Sequence, residues 1–232
     1  MSILEAGLAV IIGASGGIGS ALAGELEGDP RYETVLRLSR GSEPAIDLLN
    51  EASIQAAAAR AGSCGPLRLL LIASGFLHDE QFMPEKSLKQ LSAEHLAHAF
   101  AVNAIGPGLV LKHFLPLVPR EGRCVIAAIS AKVGSIGDNE LGGWISYRAS
   151  KAALNQIIRT GAVELRRTRT NAICVAIHPG TVDSRLSAPF AKSGLKVRSA
   201  SIAATEILNV LHALTPADTG TFRDYRGEHV PW

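Results

Sequence analysis

Short apolar runs alternate along this chain with longer segments of helical periodicity, and this alternation constrains the fold more than any other feature of the sequence. The run at residues 67–73 is almost unbroken by polar side chains, which is typical of a strand covered on both faces. Similar runs occur at residues 9–12, 35–38, 124–129 and 172–177. Strands that alternate with helices predict a parallel sheet with helices on both faces.

Helical segments fill the intervals between these runs. Ile18, Leu22 and Leu26 recur every four residues and predict a first helix that ends near Gly28. The pattern also predicts a short extra strand at 45–48 and helices at 51–61, 92–118, 146–168 and 201–214, the second of these bent near Gly106-Pro107-Gly108. Because we find no repeat or linker, the 232 residues (1–232) are predicted to form one α/β domain, a doubly wound parallel sheet.

The composition bears on several classes of protein. With 47% apolar and 19% charged residues, the chain is too apolar to be disordered. A net charge of +2 gives no reason to expect nucleic acid or an anionic membrane as a partner. Neither a membrane-spanning run nor a signal peptide is expected. The three scattered cysteines predict a reduced, cytoplasmic protein without a disulfide framework or a metal site.

A glycine-rich turn joins the first predicted strand to the first predicted helix, with the sequence Gly13-Ala14-Ser15-Gly16-Gly17-Ile18-Gly19. Glycine allows a sharp turn and a close approach to a ligand, and a helix start offers unpaired N–H groups to an anion. At this junction a doubly wound sheet binds the pyrophosphate of a dinucleotide. The spacing differs from Gly-x-Gly-x-x-Gly, and a plain tight turn is the competing interpretation.

The same turn has a second chemical interpretation. Gly13-x-Ser15-x-Gly17 matches the nucleophile elbow of an α/β-hydrolase, and Asp218 and His229 follow in the order that a catalytic triad needs. That elbow requires earlier strands to build the oxyanion hole, and only twelve residues precede Gly13. The hydrolase is therefore the weaker hypothesis.

The end of the second strand indicates which dinucleotide would bind. An acidic residue there would hold a ribose 2′-hydroxyl, whereas an arginine would pair with a 2′-phosphate. Here the strand runs into Ser39 and Arg40, without an acid. Guanidinium geometry suits phosphate, so the sequence favours NADP(H) over NAD(H), with an ordinary surface arginine as the alternative.

Tyr147 and Lys151 form the most specific chemical signal in the chain. Residues four apart lie on one face of a helix. A free phenol has a pKa of about 10, and a neighbouring ammonium is expected to lower this pKa toward neutrality. The pair thus predicts a tyrosine acid–base catalyst, although a tyrosine and a lysine at this spacing also occur together by chance.

Together these motifs resemble the short-chain dehydrogenase/reductase family, and the resemblance covers essentially the whole chain. It rests on the glycine turn, Asp47-Leu48, Asn103, the Tyr147/Lys151 pair and Pro179-Gly180-Thr181. Within the family, the chain is most similar to the C-factor and sniffer-like carbonyl reductases, through residues 131–136, 142–144, 146–151, 179–183 and 230–232. The resemblance implies a Rossmann-type fold and reduction of a carbonyl, or oxidation of an alcohol, with NADP(H).

The resemblance also assigns roles to individual residues. Tyr147 would protonate the carbonyl oxygen, Lys151 would tune it and bind the ribose, and Asn103 would hold a water next to Lys151. Asp47 would contact the adenine beside Leu48, although Asp47 also suits a cap for the helix near Glu51. The remaining implied cofactor contacts are Gly13, Ser15, Gly16, Gly17, Ile18, Gly19, Ser39, Arg40, Ala73, Ser74, Gly75, Pro179, Gly180, Thr181 and Val182.

Two departures from the family pattern affect the predicted site. The family's Asn-Asn-Ala-Gly after the fourth predicted strand is here Ile72-Ala73-Ser74-Gly75. The catalytic serine is displaced as well: Ala131 stands where the spacing to Gly134 requires a serine. Because residues 138–144 resemble an insertion, Ser130 at the strand end is favoured as the hydrogen-bond donor to a substrate oxygen, with Ser135 as the alternative.

The substrate side is less defined by sequence. Residues 183–199 correspond to the family's substrate lid, and their apolar side chains suit a small hydrophobic carbonyl or alcohol compound. The family's long helices pair subunits, which implies a homodimer or homotetramer. A second hypothesis is a catalytically weak nucleotide-binding or signalling protein that keeps the fold, since fold alone does not establish activity.

Overall fold

The computed structural model describes residues 6–184, 186–190 and 197–232, and its centre is a six-stranded parallel sheet. The strand order is β2-β1-β3-β4-β5-β6, and every neighbouring pair is parallel. The bounds are Gly7–Ile12 (β1), Tyr32–Leu38 (β2), Leu67–Ile72 (β3), Cys124–Ile129 (β4), Ala172–His178 (β5) and Phe222–Asp224 (β6). The predicted fold class is confirmed.

In the described part of the chain, six α-helices connect these strands and cover both faces of the sheet. Their bounds are Gly17–Glu27 (α1), Glu51–Gly62 (α2), Ala93–Phe100 (α3), Gly106–Phe114 (α4), Ile145–Arg166 (α5) and Ala200–Ala213 (α6). Side chains alternate along each strand, so β1 sends Val10 and Ile12 to the face of α2, α4 and α5. Ala9 and Ile11 face α1 and α6 instead. Two apolar cores therefore sandwich the sheet.

The strand order changes direction between β1 and β3. The chain moves from β1 to β2 on one side and then crosses back to place β3 on the other side of β1. Crevices at such a switch point, outside the carboxyl ends of the strands, are where doubly wound sheets bind ligands. The glycine turn after β1 and the segment after β3 meet there, since the Ala73 amide donates to the Ile12 carbonyl over 2.8 Å.

The predicted extra strand at 45–48 was wrong, as was the numbering of later strands that depended on it. Local hydrogen bonds hold this segment in a turn: the Asp47 amide donates to Ser53 Oγ over 2.9 Å, and that hydroxyl contacts the Asp47 carbonyl. Ile46 is buried all the same, which explains the apolar pattern. β6 was missed, because three residues are too short to show a period.

The predicted long helix at 92–118 is interrupted earlier than expected. A π-helical segment, Ala101–Ile105, separates α3 from α4, so the irregularity precedes the Gly106-Pro107-Gly108 sequence. Pro107 lies in the first turn of α4, where its missing N–H costs no helical hydrogen bond. A Cβ on Gly106 would lie 2.6 Å from the Leu48 Cβ, so glycine lets the 45–48 turn pack against the helix.

One helical run, Ala93–Leu117, is long and apolar enough to cross a membrane by length and composition, a test that buried core helices also pass. Val110 and Phe114 are fully buried in the core beside α2. This packing accounts for the apolar character of the run, and we interpret it as a core helix.

Candidate active site

The glycine turn has the geometry of an anion cradle. Gly13 has a φ of +89°, and a Cβ on Gly19 would lie 2.2 Å from the Gly13 carbonyl oxygen, so both positions require glycine. Gly16 is the N-cap of α1 and has no side chain to accept the first helical N–H groups. These amides and the positive end of the helix dipole are therefore available to a phosphate.

Two other loops face this turn. A Cβ on Gly13 would lie 2.8 Å from the Ser74 amide nitrogen, and a Cβ on Gly17 would lie 3.6 Å from the Ser184 Cβ. The Ser74 hydroxyl is buried without a hydrogen-bond partner among the described residues. A buried orphan hydroxyl costs free energy unless a ligand satisfies it. The open helix start and this unsatisfied donor both fit a bound dinucleotide.

Two arginines near the end of β2 have different environments. Arg37 is paired with Glu27, with 2.7 Å between the Arg37 Nε and a carboxylate oxygen. Arg40 lies beyond the strand and is exposed, and its side chain makes no hydrogen bond or ion pair with another described residue. Ser39 shapes the turn between them, since its hydroxyl accepts from the Gly41 amide over 3.2 Å. Arg40 is therefore the guanidinium left available at this end of the sheet.

The predicted adenine contacts lie on the 45–48 turn. One Asp47 carboxylate oxygen accepts the Leu49 amide over 3.0 Å, while Leu48 packs against Gly106. The alternative role of Asp47 as a helix cap was wrong. Asn50 caps α2, accepting the Ala52 amide over 3.1 Å.

Asn103 is fully buried within the π-helical segment and joins two elements of the site. Its Oδ1 accepts the Phe76 amide over 2.7 Å, and its Nδ2 donates to the Phe76 carbonyl and to Ser150 Oγ at 2.8 and 3.0 Å. A Cβ on Gly75 would lie 3.5 Å from the Lys151 Nζ and 3.7 Å from the Asn103 Oδ1. The structure thus brings Asn103 and Lys151 together beneath the loop after β3.

Lys151 and Tyr147 lie on one face of α5 and are almost completely buried. The Lys151 Nζ donates to the Ile129 carbonyl over 2.9 Å and stands 5.9 Å from the Tyr147 ring centre. Burial lowers the pKa of Lys151 to about 8 and raises the pKa of Tyr147. The expectation that Lys151 lowers the phenol pKa was wrong, because burial raises it and the ammonium 5.9 Å from the ring centre does not offset burial.

The two candidate serines are both buried but have different partners. Ser130 follows β4, and its hydroxyl donates to Asn155 Oδ1 over 2.6 Å. Asn155 also donates to the Gly134 carbonyl over 3.3 Å and so holds the segment after the strand. The Ser135 hydroxyl instead accepts the Asp138 amide and donates to the Trp232 carbonyl, at 3.1 and 3.5 Å. The Ser135 hydroxyl therefore stabilises a turn and holds the last residue of the chain.

The Pro179–Val182 segment after β5 is held by a buried arginine. Gly180 has a φ of +72°, and a Cβ there would lie 1.5 Å from an Arg198 nitrogen. Arg198 donates to the Pro179 carbonyl over 2.6 Å, pairs with Glu206 over 2.6 Å and lies 3.3 Å above the Tyr225 ring. Thr181 accepts the Arg198 amide through its carbonyl over 3.0 Å. This arginine was missed because no local pattern links residues 18 positions apart.

A second group that sequence reasoning missed lies at the start of α5. The Glu85 carboxylate accepts the Ser146 amide over 3.1 Å, also bonds the Ser146 hydroxyl, and stands 3.2 Å from His95 Nδ1. All three side chains are buried. Glu85 therefore caps the tyrosine-bearing helix from a loop 61 residues away in the chain.

Three further expectations can be compared with the structure. The predicted hydrolase triad was wrong. The Asp218 carboxylate accepts a hydrogen bond from the Arg223 side chain, and His229 forms an isolated backbone β-bridge with Arg223 in β6. Ser15 follows β1, which lies four strands from β6, or about 19 Å at the usual strand spacing.

The predicted lid at 183–199 lies partly outside the described residues, which omit 185 and 191–196. Among the described residues, we find no cluster of three or more possible metal ligands.

Comparison with known proteins shows the family of this chain. The family model described as enoyl-(acyl carrier protein) reductase matches residues 33–214. Over 137 residues, the chain is 34% identical to C-signal of Myxococcus xanthus, covering 59% of this chain and 78% of that protein. It is 27% identical over 190 residues to 1-hydroxy-2-glutathionyl-2-methyl-3-butene dehydrogenase of Rhodococcus sp. (strain AD45), covering 82% and 80%. The chain belongs to the short-chain dehydrogenase/reductase family of oxidoreductases.

Solved structures share the whole fold. The NADPH-bound carbonyl reductase from chicken fatty liver superimposes with a TM-score of 0.83 at 24% identity, covering 97% of this chain and 94% of that one. The carbonyl reductase Sniffer of D. melanogaster gives 0.81 at 23% identity, covering 98% and 99%. A Burkholderia multivorans protein with bound NADP gives 0.78 at 28% identity, covering 98% and 99%. The first two likenesses are evidence of the fold alone.

Proposed function

We propose that this protein is an NADP(H)-dependent reductase of carbonyl compounds, or a dehydrogenase of the corresponding alcohols, with Tyr147 as general acid and base. The observation that carries the proposal is the placement of Tyr147 and Lys151 on α5, beside buried Asn103 and the loop after β3. The glycine turn opens at the same edge of the sheet. The bound nicotinamide would supply the hydride to the carbonyl carbon.

In this mechanism the protein handles the proton. The raised pKa keeps the Tyr147 phenol protonated at neutral pH, ready to donate to a substrate oxygen. Lys151 is held by the Ile129 carbonyl over 2.9 Å, and burial lowers its pKa to about 8. Its ammonium would stabilise the phenolate left by proton transfer and bind a ribose hydroxyl. Asn103 would hold a water through which the proton is replaced.

Ser130 is the proposed hydrogen-bond donor to the substrate oxygen. The Ser130 hydroxyl donates to Asn155 Oδ1, so it would have to turn from Asn155 to donate to the substrate oxygen. We expect Ser130→Ala to lower kcat/KM about 100- to 1000-fold, because it removes this donor. Ser135→Ala is the matched control, since its hydroxyl bonds the Asp138 amide and the Trp232 carbonyl and is assigned no contact with the substrate. Steady-state kinetics of both variants would test the assignment. A larger loss in Ser135→Ala would reverse it.

Arg40 is proposed to bind the 2′-phosphate of the cofactor. We expect Arg40→Ala to weaken NADPH binding about 10- to 100-fold, the value of a charge-assisted contact, and to leave NADH binding unchanged. Arg37→Ala is the matched control, because Arg37 is already paired with Glu27. Calorimetric titration of each variant with NADPH and NADH measures both effects. Equal loss of NADPH affinity in the two variants would contradict the specific role of Arg40.

The remaining cofactor contacts are proposed from the four segments that follow β1, β2, β3 and β5. These are Gly13, Ser15, Gly16, Gly17, Ile18, Gly19, Ser39, Asp47, Leu48, Ala73, Ser74, Gly75, Pro179, Gly180, Thr181 and Val182. The substrate lid at 183–199, a homodimer or homotetramer and a cytoplasmic location are also part of the proposal. A cavity of about 500 Å³ between α4 and α5 offers apolar surface for a second copy of the chain.

A signalling protein is the second candidate, because C-signal of Myxococcus xanthus is 34% identical to this chain where the two align. In that case nucleotide binding would matter and turnover would not. A strain that expresses Tyr147→Phe in place of the native protein distinguishes the two. If its phenotype is native while NADPH binding persists, redox chemistry is not the biological role.

A further inference from the structure

Trp144 has a backbone conformation that bulky residues rarely adopt. Its φ and ψ are 50° and 44°, in the left-handed region, and it is the only non-glycine residue with a positive φ among the described residues. Gly142 and Gly143 immediately before it are left-handed as well. The conformation costs about 1–2 kcal/mol and persists only where the surroundings impose it.

Contacts from separate parts of the chain impose this conformation. The Trp144 amide donates to the Glu85 carbonyl over 2.5 Å. The Arg148 Nε donates to the carbonyls of Gly142 and Gly143, at 3.2 and 2.9 Å. The Glu85 carboxylate then bonds Ser146, two residues further on. The strain at Trp144 is therefore built into the join between the loop after β3 and the start of α5.

The result of this strain is the position of the indole. Its ring centre lies 6.3 Å from that of Tyr147 and 5.0 Å from that of Phe190, both at steep angles. Phe190 in turn lies 5.3 Å from the His78 ring. The rings form a row that runs outward from the proposed catalytic tyrosine, with Trp144 next to it.

Trp144 also lines a cavity of about 720 Å³, a volume that suits a small ligand. Met83, Pro84 and Phe190 supply further apolar surface. The polar lining residues are Glu85, Lys86 and Gln90. Glu85 is bonded to Ser146, and the Gln90 side chain accepts the Lys86 amide over 2.7 Å. The cavity thus offers a mainly apolar, partly aromatic surface beside the proposed site.

We propose that Trp144 determines substrate specificity, and that the preferred substrates are carbonyl compounds with a flat apolar or aromatic group attached to the carbonyl. This group stacks against the indole while the carbonyl oxygen faces Tyr147. Aromatic surfaces attract flat groups beyond the area that they bury. The inference rests on the proposed carbonyl reduction, and its test contains one readout that does not depend on turnover.

The kinetic test uses Trp144→Gly with benzaldehyde and propanal as matched substrates and NADPH as reductant. Glycine removes the indole and adopts the left-handed conformation without strain, which offsets part of the loss of the ring contacts to Tyr147 and Phe190. Thermal unfolding of the variant is the control for folding. We expect the ratio of kcat/KM for benzaldehyde to that for propanal to fall at least about tenfold. Trp144→Phe, which keeps an aromatic ring, should retain most of the ratio. An unchanged ratio in Trp144→Gly overturns the proposal.

The second readout is tryptophan fluorescence, since the chain has two tryptophans. In Trp232→Phe the emission comes from Trp144 alone, and benzaldehyde is expected to quench it saturably in the presence of NADP⁺. In Trp144→Phe only Trp232 emits, and no saturable quenching is expected. If the wild type reduces neither aldehyde, the proposed function is contradicted, and saturable quenching would still support the binding role of Trp144. Absence of quenching overturns that role.

Discussion

Tyr147→Phe is expected to lower kcat/KM for carbonyl reduction about a thousandfold, the contribution of a positioned general acid. The variant loses one oxygen atom from a side chain that is 8% exposed, and the phenol makes no hydrogen bond to another described residue. The fold and the cofactor site should therefore persist. We expect NADPH affinity within about threefold of the wild type, a difference well under about 1.4 kcal/mol.

The measurement combines steady-state kinetics with a calorimetric NADPH titration of the same preparation. Thermal unfolding serves as the control for folding. A variant that keeps a tenth or more of the activity would show that another group supplies the proton. A variant that loses NADPH binding would show that Tyr147 acts mainly in holding the cofactor.

Glu85→Ala is expected to lower the free energy of unfolding by about 2–4 kcal/mol. The carboxylate is 2% exposed and holds the Ser146 amide at 3.1 Å and His95 at 3.2 Å. Its removal leaves a buried hydroxyl, a buried imidazole and an N–H group in the first turn of α5 without their partner. Because Tyr147 is the next residue, activity should fall as well. Denaturant unfolding monitored by circular dichroism measures the stability change.

Glu85→Gln refines this test, because it keeps an acceptor and removes the charge. Burial acts to raise the pKa of Glu85, but hydrogen bonds from Ser146 and its own amide, with the charge of His95, outweigh burial and lower it. A carboxyl with a lowered folded-state pKa stabilises the protein above its unfolded value, 4.5, and that stability is lost as the pH falls through the folded-state pKa. The advantage of wild type over Glu85→Gln should therefore shrink below about pH 4.5.

A difference between the two proteins that stays constant from neutral pH to about pH 3.5 would contradict the role of the Glu85 charge. Glu51→Gln is a matched control for a carboxylate that lies near a lysine and a histidine at the surface. It should have little effect on stability, since exposed ion pairs contribute little. A loss of stability in Glu51→Gln as large as that in Glu85→Gln would indicate a general charge effect instead.

Helices and strands that are long enough to show an apolar pattern could be predicted from the sequence. Seven elements lie within about two residues of their predicted bounds: α1, α2, α5, α6, β3, β4 and β5. Burial against the sheet requires apolar side chains at regular positions along each element, and the local sequence records this pattern. The pairing of Tyr147 with Lys151 on one face follows from helix geometry alone.

Features that depend on competing local bonds could not be predicted. Residues 45–48 have the apolar pattern of a strand, yet the Asp47–Ser53 hydrogen bonds hold them in a turn. In the helix at 92–118, the π-helical segment precedes the expected bend at Gly106 and carries Asn103 into the site. In the 45–48 turn, a short polar side chain that bonds to nearby backbone overrides the apolar pattern. In the π-helical segment, Asn103 bonds Phe76 and Ser150, 27 and 47 positions away, which no local pattern records.

The sequence by itself determined the fold class, the family and the positions from which a catalytic tyrosine and a phosphate-binding turn would come. These depend on spacings within one helix or one strand–helix junction. Only the tertiary structure decided that Arg37 is paired and Arg40 is not, that Ser130 bonds Asn155, and that Glu85 caps the helix of Tyr147. These contacts join residues 10 to 61 positions apart, and packing of separate elements, which no local period records, brings them together.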